Sequence, residues 1–578
     1  LHLLSRRQRQ MCIRDSIIAL CLTALPAALV ALIGISGESL SSFLLIFIKY
    51  LRNRRIVGGN SAEDAVPAAE HGGKHIKKKA HKPDKAPRRS RRSGREDFPA
   101  EFDEVRSYEI RQKLRPVKKQ KPAKEKKAAK QKKKVSKERK VKRPIRTQEP
   151  KPACLNPVAD YLPISKIENG IIYTKDHRYV KVVEVVPINF MLRSAQEQRN
   201  IIYSFVSYLK ISPIKLQIKV LTRRAEINRH LDTVRKEMEQ ETNEQCLLMQ
   251  EDYLQFVQQI GSREAITRRF FLIFEYEPWS NTKRSDEEGE AINALQSAVH
   301  TATNYLRQCG NEVIVPENWD EFTVDVLYNL LCRNESAVKP LSVRAQEVVA
   351  EYLAKGRDSE IDHIPATEFC APKSIDFTHG HHICIDGLYY AYLLVPSDGY
   401  KTQVPAGWLS LIVNAGDGID MDMFLSRQPK ETIIQKVGQQ LRINRSKIKD
   451  ASDTNTDFDD IDGAIRSGYF LKEGLANNED FYYLNLLITI TASNEEDLEW
   501  KVSEMKKLLL SQDMNACTCH FREEQAFLSA LPLVAMEKKL YERGKRNLLT
   551  GGAASCYPFT SYEMCDDNGI LLGVNKYN

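Results

Sequence analysis

A lysine-rich stretch limits how much of this chain can build a packed core. Between Val117 and Arg146 the sequence carries sixteen Lys and Arg against two Glu, a local balance of +14, whereas the whole chain of 578 residues has a formal net charge of +10. The surrounding region is charged, interrupted by Pro and poor in aromatic residues, so it cannot bury enough apolar surface to offset its ordering entropy. The sequence therefore predicts a disordered basic linker over residues 58–153.

This linker is the candidate binding segment. Its Lys and Arg can contact anionic lipid headgroups, at about 1 kcal/mol per basic residue near a membrane surface, or the phosphates of nucleic acid. A solvated spacer without a ligand is the third alternative. The candidate contacts are Lys118, Lys119, Lys126, Lys127, Lys132, Lys133, Lys134, Arg139 and Lys140.

An apolar region precedes the linker. Ser16–Gly37 is a run of 22 uncharged residues, and about 20 such residues span a bilayer as a helix. The following apolar positions Leu40, Phe43, Leu44 and Phe47 lead into a cluster of Lys and Arg, which predicts an amphipathic helix at the membrane interface. Basic residues mark the cytoplasmic side. Residues 16–57 are thus predicted to hold a transmembrane and an interfacial helix in the inner membrane, with the globular part in the cytoplasm.

Two further interpretations concern the amino terminus. A cleaved signal peptide is the alternative to a transmembrane helix, because small residues follow an apolar run. Residues 1–15 fit no structural element, and Met11-Cys-Ile-Arg-Asp-Ser16 is similar to translated sequencing-adapter sequence. We therefore predict that residues 1–15 are an artefact.

From residue 154 onward the composition becomes globular and predicts an α+β fold. The first unit, residues 154–335, contains a hairpin over Gly170–Val186, a capping box formed by Ser194 and Glu197, and apolar strands at 216–220 and 269–276. Helices are predicted at 225–260 and 289–309. A helical connection over 336–364 leads to the second unit. Each unit is expected to contain a mixed or antiparallel sheet with helices.

The second unit, residues 365–545, has a similar order of elements, which suggests an internal duplication. Its predicted elements are a hairpin at 379–395, strands at 408–413, 481–491 and 516–521, and helices at 430–443 and 495–510. Arg427, Arg442 and Arg445 accompany a helix placed at 423–443; a solvated face is favoured there over a partner contact.

No metal site is predicted. The twelve Cys are scattered, which is typical of a reducing compartment. Cys517-Thr-Cys519-His520 and the separate His381-His382-Ile-Cys384 invite a zinc interpretation, but no second spaced pair accompanies them, so strand residues are favoured. The acidic segment 453–463 resembles a calcium loop, yet Phe458 and Ala464 occupy the positions that require Gly and Glu.

No catalytic or cofactor-binding residue is predicted either. A phosphate-binding P-loop requires Gly-x-x-x-x-Gly-Lys followed by Ser or Thr. Gly-Lys occurs only at Gly73-Lys74, before His75, and at Gly544-Lys545, before Arg546. Neither can be a Walker A motif.

Several short segments of the sequence nevertheless resemble those of one family. They are Ile164-Ser-Lys-Ile-Glu-Asn-Gly170, the run from Tyr179 to Phe190, Asp422-Met-Phe-Leu-Ser-Arg-Gln-Pro429, and the series Pro558-Phe-Thr-Ser-Tyr-Glu563, Asp567-Asn-Gly569 and Gly573-Val-Asn575. From about residue 157 onward the sequence resembles the large conjugative-transfer ATPases of type IV secretion systems, the VirB/TraC type. Residues 16–57 more weakly resemble the PrgI-type membrane subunit of the same systems.

The resemblance implies a function that lies partly outside the sequence. It implies that residues 546–578 lead into a RecA-like domain that is absent here, and that ATP and Mg²⁺ are bound only by that carboxy-terminal domain. It also implies a homo-oligomer, partner subunits of the secretion system, and a role in pilus assembly or DNA export. The chain alone is expected to be inactive. The alternative is a non-catalytic, membrane-tethered scaffold that binds a protein partner and anionic lipid or nucleic acid.

Overall fold

The computed structural model describes residues 40–58 except 54, and residues 155–562 except 225–230, 232–233, 237, 240, 264–265, 277–286, 402 and 451–456. The residues 1–15, the apolar run 16–37, the nine candidate contacts between residues 118 and 140, and the hairpin predicted around residues 567–569 lie outside this set. Within the set, no helix has both the length and the apolar character needed to cross a membrane.

Within the described ranges, fourteen strands form one antiparallel sheet. Their spatial order is β1-β8-β9-β10-β12-β11-β5-β6-β4-β3-β2, with β7 beside β4, β13 beside β10 and β14 beside β12. The strands are β1 (Ile56–Gly58), β2 (Ile164–Glu168), β3 (Ile171–Thr174), β4 (Tyr179–Val186), β5 (Lys215–Arg224), β6 (Ile266–Tyr276), β7 (Glu312–Ile314), β8 (Ser374–Asp376), β9 (Ile383–Ile385), β10 (Leu388–Leu394), β11 (Ile419–Gln428), β12 (Phe481–Ala492), β13 (Cys517–Thr518) and β14 (Arg546–Leu549).

Helices connect these strands and cover the sheet. They are α1 (Leu40–Asn53), α2 (Pro157–Tyr161), α3 (Ala195–Ile211), α4 (Glu244–Arg263), α5 (Glu287–Gln308), α6 (Trp319–Leu331), α7 (Arg333–Ser336), α8 (Leu341–Ala354), α9 (Ala366–Cys370), α10 (Ser410–Val413), α11 (Lys430–Asp450), α12 (Asp457–Ala476), α13 (Glu495–Leu510), α14 (Glu523–Ala530), α15 (Lys538–Gly544) and α16 (Thr550–Ser555). Short 3₁₀ helices occupy Phe190–Leu192 and Asp358–His363.

The sheet has the same plan on both sides of its central pair, β5 and β11. Moving outward from β5, the strands are β6, β4, β3 and β2; moving outward from β11, they are β12, β10, β9 and β8. The connections correspond as well, because α4 joins β5 to β6 while α11 and α12 join β11 to β12. The internal duplication suggested by the sequence is therefore present in the topology, and the segments 154–335 and 365–545 supply the two halves of one continuous sheet.

Both faces of the sheet are buried. One apolar cluster joins strand residues to α3, α5, α13 and α16, and a second joins the opposite face to α2, α6, α9 and α14. A strand buried on both faces reads as a continuous apolar run rather than as an alternating pattern. This explains why β6 and β12 were recognisable as strands from the sequence. The α+β class is confirmed, with an antiparallel sheet.

Most local predictions in the first half agree with the structure, but the helix predicted at 225–260 is interrupted at residues 241–243, and α4 begins only at Glu244. The hairpin is formed by β3 and β4, and Ser194 and Glu197 form the predicted capping box, in which each side chain accepts a hydrogen bond from the other residue's backbone N–H. Gly310, which follows α5, has a φ of 89°. A residue with a side chain would be strained in this conformation. These features depend on neighbouring residues, so the local sequence suffices to specify them.

The prediction was wrong around the central strand of the second half. Residues 408–413 form a turn and the short helix α10 rather than a strand, and the strand follows as β11 at 419–428, where a helix had been placed from residue 423. The strand carries Asp420 and Asp422, both fully buried, and strands are generally poor in Asp. The strand predicted at 516–521 is reduced to the two residues of β13.

Candidate functional site

Helix α1 packs one apolar face onto the globular body. Phe43, Phe47 and Tyr50, spaced by three and four residues, surround the ring of Phe521 at centroid distances of 5.7, 5.2 and 5.1 Å. Ile46 lies on the same face and is buried. The aromatic rings meet mainly edge to face, which is a favourable geometry for such pairs. We call this contact the docking site.

The segment after α1 continues the attachment. Strand β1 pairs with β8 and forms the edge of the sheet, and the Phe377 N–H donates to the Arg55 carbonyl at 3.0 Å. The Arg55 guanidinium contacts Glu524 at 2.9 Å and lies over the Tyr161 ring at 5.3 Å. The Tyr50 hydroxyl donates to the Thr378 carbonyl. Residues 40–58 are thus fixed to the second half of the sheet by packing, strand pairing and charge.

Phe521 is held in an unusual backbone conformation. Its φ is 60°, a region that residues with a side chain rarely adopt. Its N–H donates to the Gly380 carbonyl at 3.1 Å and to Glu523 Oε1 at 3.0 Å. A Cβ at Gly380 would lie 2.5 Å from the Phe521 ring, so only Gly fits there. Such strain persists only where the surrounding contacts enforce it.

Histidines lie beside this ring. His381 Nδ1 and His520 Nδ1 are 3.0 Å apart, and the rings of His379 and His382 stack at 4.5 Å. Burial, with His381 and Lys506 nearby, lowers the pKa of His520 to about 4. Burial and His379 likewise lower the pKa of His382. At neutral pH His520 is therefore an uncharged hydrogen-bonding partner of His381.

The zinc alternative can be compared with this geometry. The structure brings together the two predicted segments, because His381 and His520 are in contact. Across the described part of the chain, however, no group of three or more His, Cys, Asp or Glu could hold a metal ion. A structural zinc ion takes four ligands, so this pair does not fit one.

A buried carboxyl group completes the docking site. Glu523 begins α14 with only 4% of its surface exposed, and burial raises its pKa to about 9. It lines a small cavity of about 50 Å³ between α1 and the start of α14, together with Lys49, Asn53 and Phe377. Glu523 is thus protonated and His520 uncharged at pH 7, whereas Arg522, Glu524 and Lys539 also line this cavity, so the surface beneath α1 combines neutral and charged groups.

The other face of α1 is exposed. Leu44, Leu45, Ile48 and Leu51 are between 47% and 64% exposed, and Lys49 is exposed beside them. The predicted interfacial face is therefore divided: Phe43 and Phe47 contact protein, whereas Leu44 faces outward. The sequence did not identify Phe521, Gly380 or Glu523 as part of a site, because their roles depend on a helix more than 300 residues away.

A buried polar network lies at the centre of the sheet. Lys219 Nζ donates to Asp422 Oδ2 at 2.8 Å and to the Ala530 carbonyl at 2.9 Å, with both charged side chains at most 1% exposed. Gln217 donates to Asp422 at 2.8 Å and accepts from the Val534 N–H. Burial lowers the pKa of Lys219 and raises that of Asp422, and their pairing opposes both shifts. This network joins the two halves of the sheet to the segment that follows α14.

A second carboxylate extends the network. Asp420 accepts from the Thr222 N–H at 2.9 Å and from its hydroxyl at 3.0 Å, and it pairs with Arg333. Arg333 also donates to the Thr222 carbonyl at 3.3 Å. Every oxygen of Asp420 therefore has a partner, which is what a buried carboxylate requires.

The second Gly-Lys pair of the sequence does not fit a nucleotide. Gly544 ends α15, and a Cβ there would lie 2.5 Å from the Asn485 side chain, so this Gly serves close packing. The Lys545 ammonium contacts Glu542 and lies 5.7 Å from the Tyr483 ring centroid. The Lys545 ammonium is thus part of a partly exposed ion pair beside the Tyr483 ring.

The comparison with known families concerns the first half of the sheet, from β2 to α5. Residues 165–303 match the archaeal TraC-like domain. The similarity relates the chain to TraC-type, conjugation-related proteins. No curated protein matches the chain.

Proposed function

We propose that this chain is the amino-terminal, membrane-proximal part of a conjugative DNA-transfer ATPase of a type IV secretion system. The observation that carries the proposal is the match of residues 165–303 to the archaeal TraC-like domain. The second half of the sheet repeats the topology of that segment, which supports extending the relationship to the whole globular part. Fold alone would not indicate a function.

In this proposal the chain positions an ATPase domain and does not itself hydrolyse ATP. As the resemblance implies, ATP and Mg²⁺ would be bound by a RecA-like domain outside these residues; Gly544-Lys545 is followed by Arg546 and not by the Ser or Thr that a P-loop requires. The docking site would link a segment in the inner membrane to the sheet. Other secretion subunits would be the protein partners, and the basic linker would contact anionic lipid or nucleic acid.

The test is conjugative transfer from donor cells of the native host. We expect an in-frame deletion of this coding sequence to abolish transfer of the mobile element, and the wild-type chain supplied in trans to restore it. A deletion strain that still transfers the element at the wild-type frequency would rule the proposal out. Donor growth and the copy number of the element serve as controls.

The outer face of α1 favours a second candidate, a non-catalytic scaffold tethered to a membrane. Leu45 and Ile48 are 64% and 59% exposed, next to the exposed Lys49, which is the composition of a surface helix that binds anionic lipid. Under this candidate, Ile48→Glu would release the chain from membranes while conjugative transfer continued. Loss of transfer together with release favours the first candidate.

A further inference from the structure

The small cavity at the docking site is bordered by exposed residues of two helices. Leu45 and Lys49, which are four residues apart and so lie on the same flank of α1, line it from one side. Lys539, in the first turn of α15, lines it from the globular body. All three residues are exposed. The cavity therefore brings two lysine side chains together at the border between the docked face of α1 and its outer face.

Every carboxyl group that lines this cavity is either neutral or already has hydrogen-bond partners. Burial raises the pKa of Glu523 to about 9, so this residue is uncharged at pH 7. Glu524 Oε1 accepts from Arg55 at 2.9 Å and from the Tyr161 hydroxyl at 3.0 Å. Glu537 Oε2 accepts from two backbone N–H groups of α15 at 2.8 and 3.1 Å. No lining carboxylate therefore remains to neutralise the two lysines.

The two lysine side chains lack a counter-charge. Among the residues that the structure describes, neither Lys49 nor Lys539 forms an ion pair or a side-chain hydrogen bond. Arg522 also lines the cavity, which gives three cationic residues against the two carboxylates that have partners. A cleft with an excess of one charge concentrates ions of the opposite sign. The cavity thus favours an anion.

The size of the cavity and its apolar border limit what this anion can be. A volume of about 50 Å³ is less than twice the roughly 30 Å³ that one water molecule takes up in the liquid. It suits one phosphate group, whereas drug-sized ligands occupy about 300–1,000 Å³. Next to it Leu45 and Ile48 are 64% and 59% exposed. A ligand with a small anionic head and an apolar body matches both features.

We propose that this cavity binds the phosphate of an anionic phospholipid, with Lys49 and Lys539 as its cationic contacts and the acyl chains along Leu45 and Ile48. We call these four residues the headgroup site. Charge on one flank of a helix and apolar side chains on the adjoining face are typical of a helix that lies on anionic lipid. The inference rests on the membrane-proximal position of α1 in the proposed function. It concerns a folded site, and not the basic linker.

Free inorganic phosphate is the alternative source of the same chemistry. It would satisfy Lys49 and Lys539 equally well, but it would leave Leu45 and Ile48 exposed to water. A phospholipid covers both the charged and the apolar part of the site. Since exposed apolar surface contributes about 25 cal/mol per Å² when it is removed from water, the lipid should bind more tightly than the free ion.

The test uses the full chain in a non-ionic detergent, with bound lipids counted by native mass spectrometry as phosphatidylglycerol is added to the micelles. We expect Lys49→Gln and Lys539→Gln each to weaken lipid binding about fivefold. Lys49→Arg should bind like wild type, because it keeps the positive charge. Phosphatidylcholine, whose headgroup has no net charge, and inorganic phosphate should bind more weakly than phosphatidylglycerol.

Two matched controls separate the cavity from the general charge of the surface. Lys538→Gln alters the exposed neighbour of Lys539, which does not line the cavity, and Lys472→Gln alters an exposed position on α12. Both should bind lipid like wild type. Lipid held by the basic linker is common to all variants, so it cancels in the comparison. Trypsin cleavage after Arg52 at the wild-type rate shows that α1 stays docked in each variant.

Three outcomes would overturn the proposal. The first is that Lys49→Gln and Lys539→Gln bind lipid no more weakly than Lys538→Gln. The second is equal binding of phosphatidylcholine and phosphatidylglycerol. The third is inorganic phosphate that binds as tightly as the lipid, which would assign the cavity to the free ion. Failure of the proposed function has a different sign, namely conjugative transfer that continues without the chain.

Discussion

Individual buried charges determine how the two halves of the sheet meet. Lys219 and Asp422 stand opposite each other in the central strand pair, and the main chain around Ala530 supplies further hydrogen bonds. Two such groups tolerate burial only together, since either one alone would be an unpaired charge in the interior. The pair therefore specifies the register of β5 against β11.

The first prediction compares the removal of one charge of the Lys219–Asp422 pair with the removal of both. Lys219→Met leaves Asp422 buried and unpaired, so we expect it to lower the free energy of unfolding by about 3–5 kcal/mol. The double variant Lys219→Met, Asp422→Leu removes both charges and should recover much of that loss. Chemical denaturation measures both. Equal destabilisation of the single and double variants would show that an unpaired buried charge does not cause the loss of stability.

The second prediction concerns pH. In the folded chain the pKa of the Glu523 carboxyl group is about 9, against an ordinary pKa of 4.5. Between these values the folded state binds more protons than the unfolded state, so the free energy of unfolding falls as the pH rises, by at most about 1.4 kcal/mol per pH unit. Glu523→Gln lacks this dependence and should gain stability over wild type between pH 5 and 9.

Denaturation at a series of pH values checks this expectation. Glu499→Gln, at an exposed position, is the matched control and should follow the wild-type curve. If Glu523→Gln and wild type keep a constant difference across the range, the carboxyl group does not titrate as described.

Residue patterns explain both the successes and the failures of the sequence analysis. Asp420 and Asp422 alternate with Met421 and Met423, which is the period of a strand, but two buried carboxylates argue against a buried strand. Only the partners Thr222 and Lys219, about 200 residues away (198 and 203), make that burial tolerable. Local sequence does not contain this information.

At the scale of elements, α1 is attached to the rest of the structure through one apolar face. Its contact depends on one ring, that of Phe521, and on the short strand β1. The helix itself was predictable from its apolar spacing. Its partner was not, because the same spacing fits a membrane surface equally well.

The third prediction tests the docking of α1. Phe521→Ala removes the ring that Phe43, Phe47 and Tyr50 surround, so we expect α1 to detach and trypsin to cleave after Lys49 or Arg52 at least about tenfold faster. Phe470→Ala, at a residue that is 67% exposed, is the control. Fragment masses over a time course give the rates, and unchanged cleavage in the Phe521 variant would contradict the described contact.

At the scale of the whole molecule, the order of elements was predictable and their assembly was not. Matching series of hairpin, strand and helix suggested two similar units. The two units share one sheet because β5 pairs with β11. The strand β11 is the one that the sequence did not predict.

The fourth prediction concerns the full chain and ATP. We expect neither hydrolysis nor tight binding, because the Lys545 ammonium is engaged by Glu542 and no P-loop sequence is present. Phosphate release and nucleotide binding by calorimetry, both with Mg²⁺, are the measurements. Lys545→Ala is the control for contaminating activity. Turnover that disappears in this variant would refute the prediction.

The matching halves of the sheet also bear on how the chain folds. Within each half most strand pairs connect neighbouring parts of the chain, whereas the central contact between Gln217 and Asp422 spans 205 residues. Contacts of such long range form slowly, since a large loop must close first. The two halves should therefore acquire structure separately and join late. A chain cut within the connection 355–365, between the last helix of one half and the first strand of the other, is then a candidate for reassembly from two fragments.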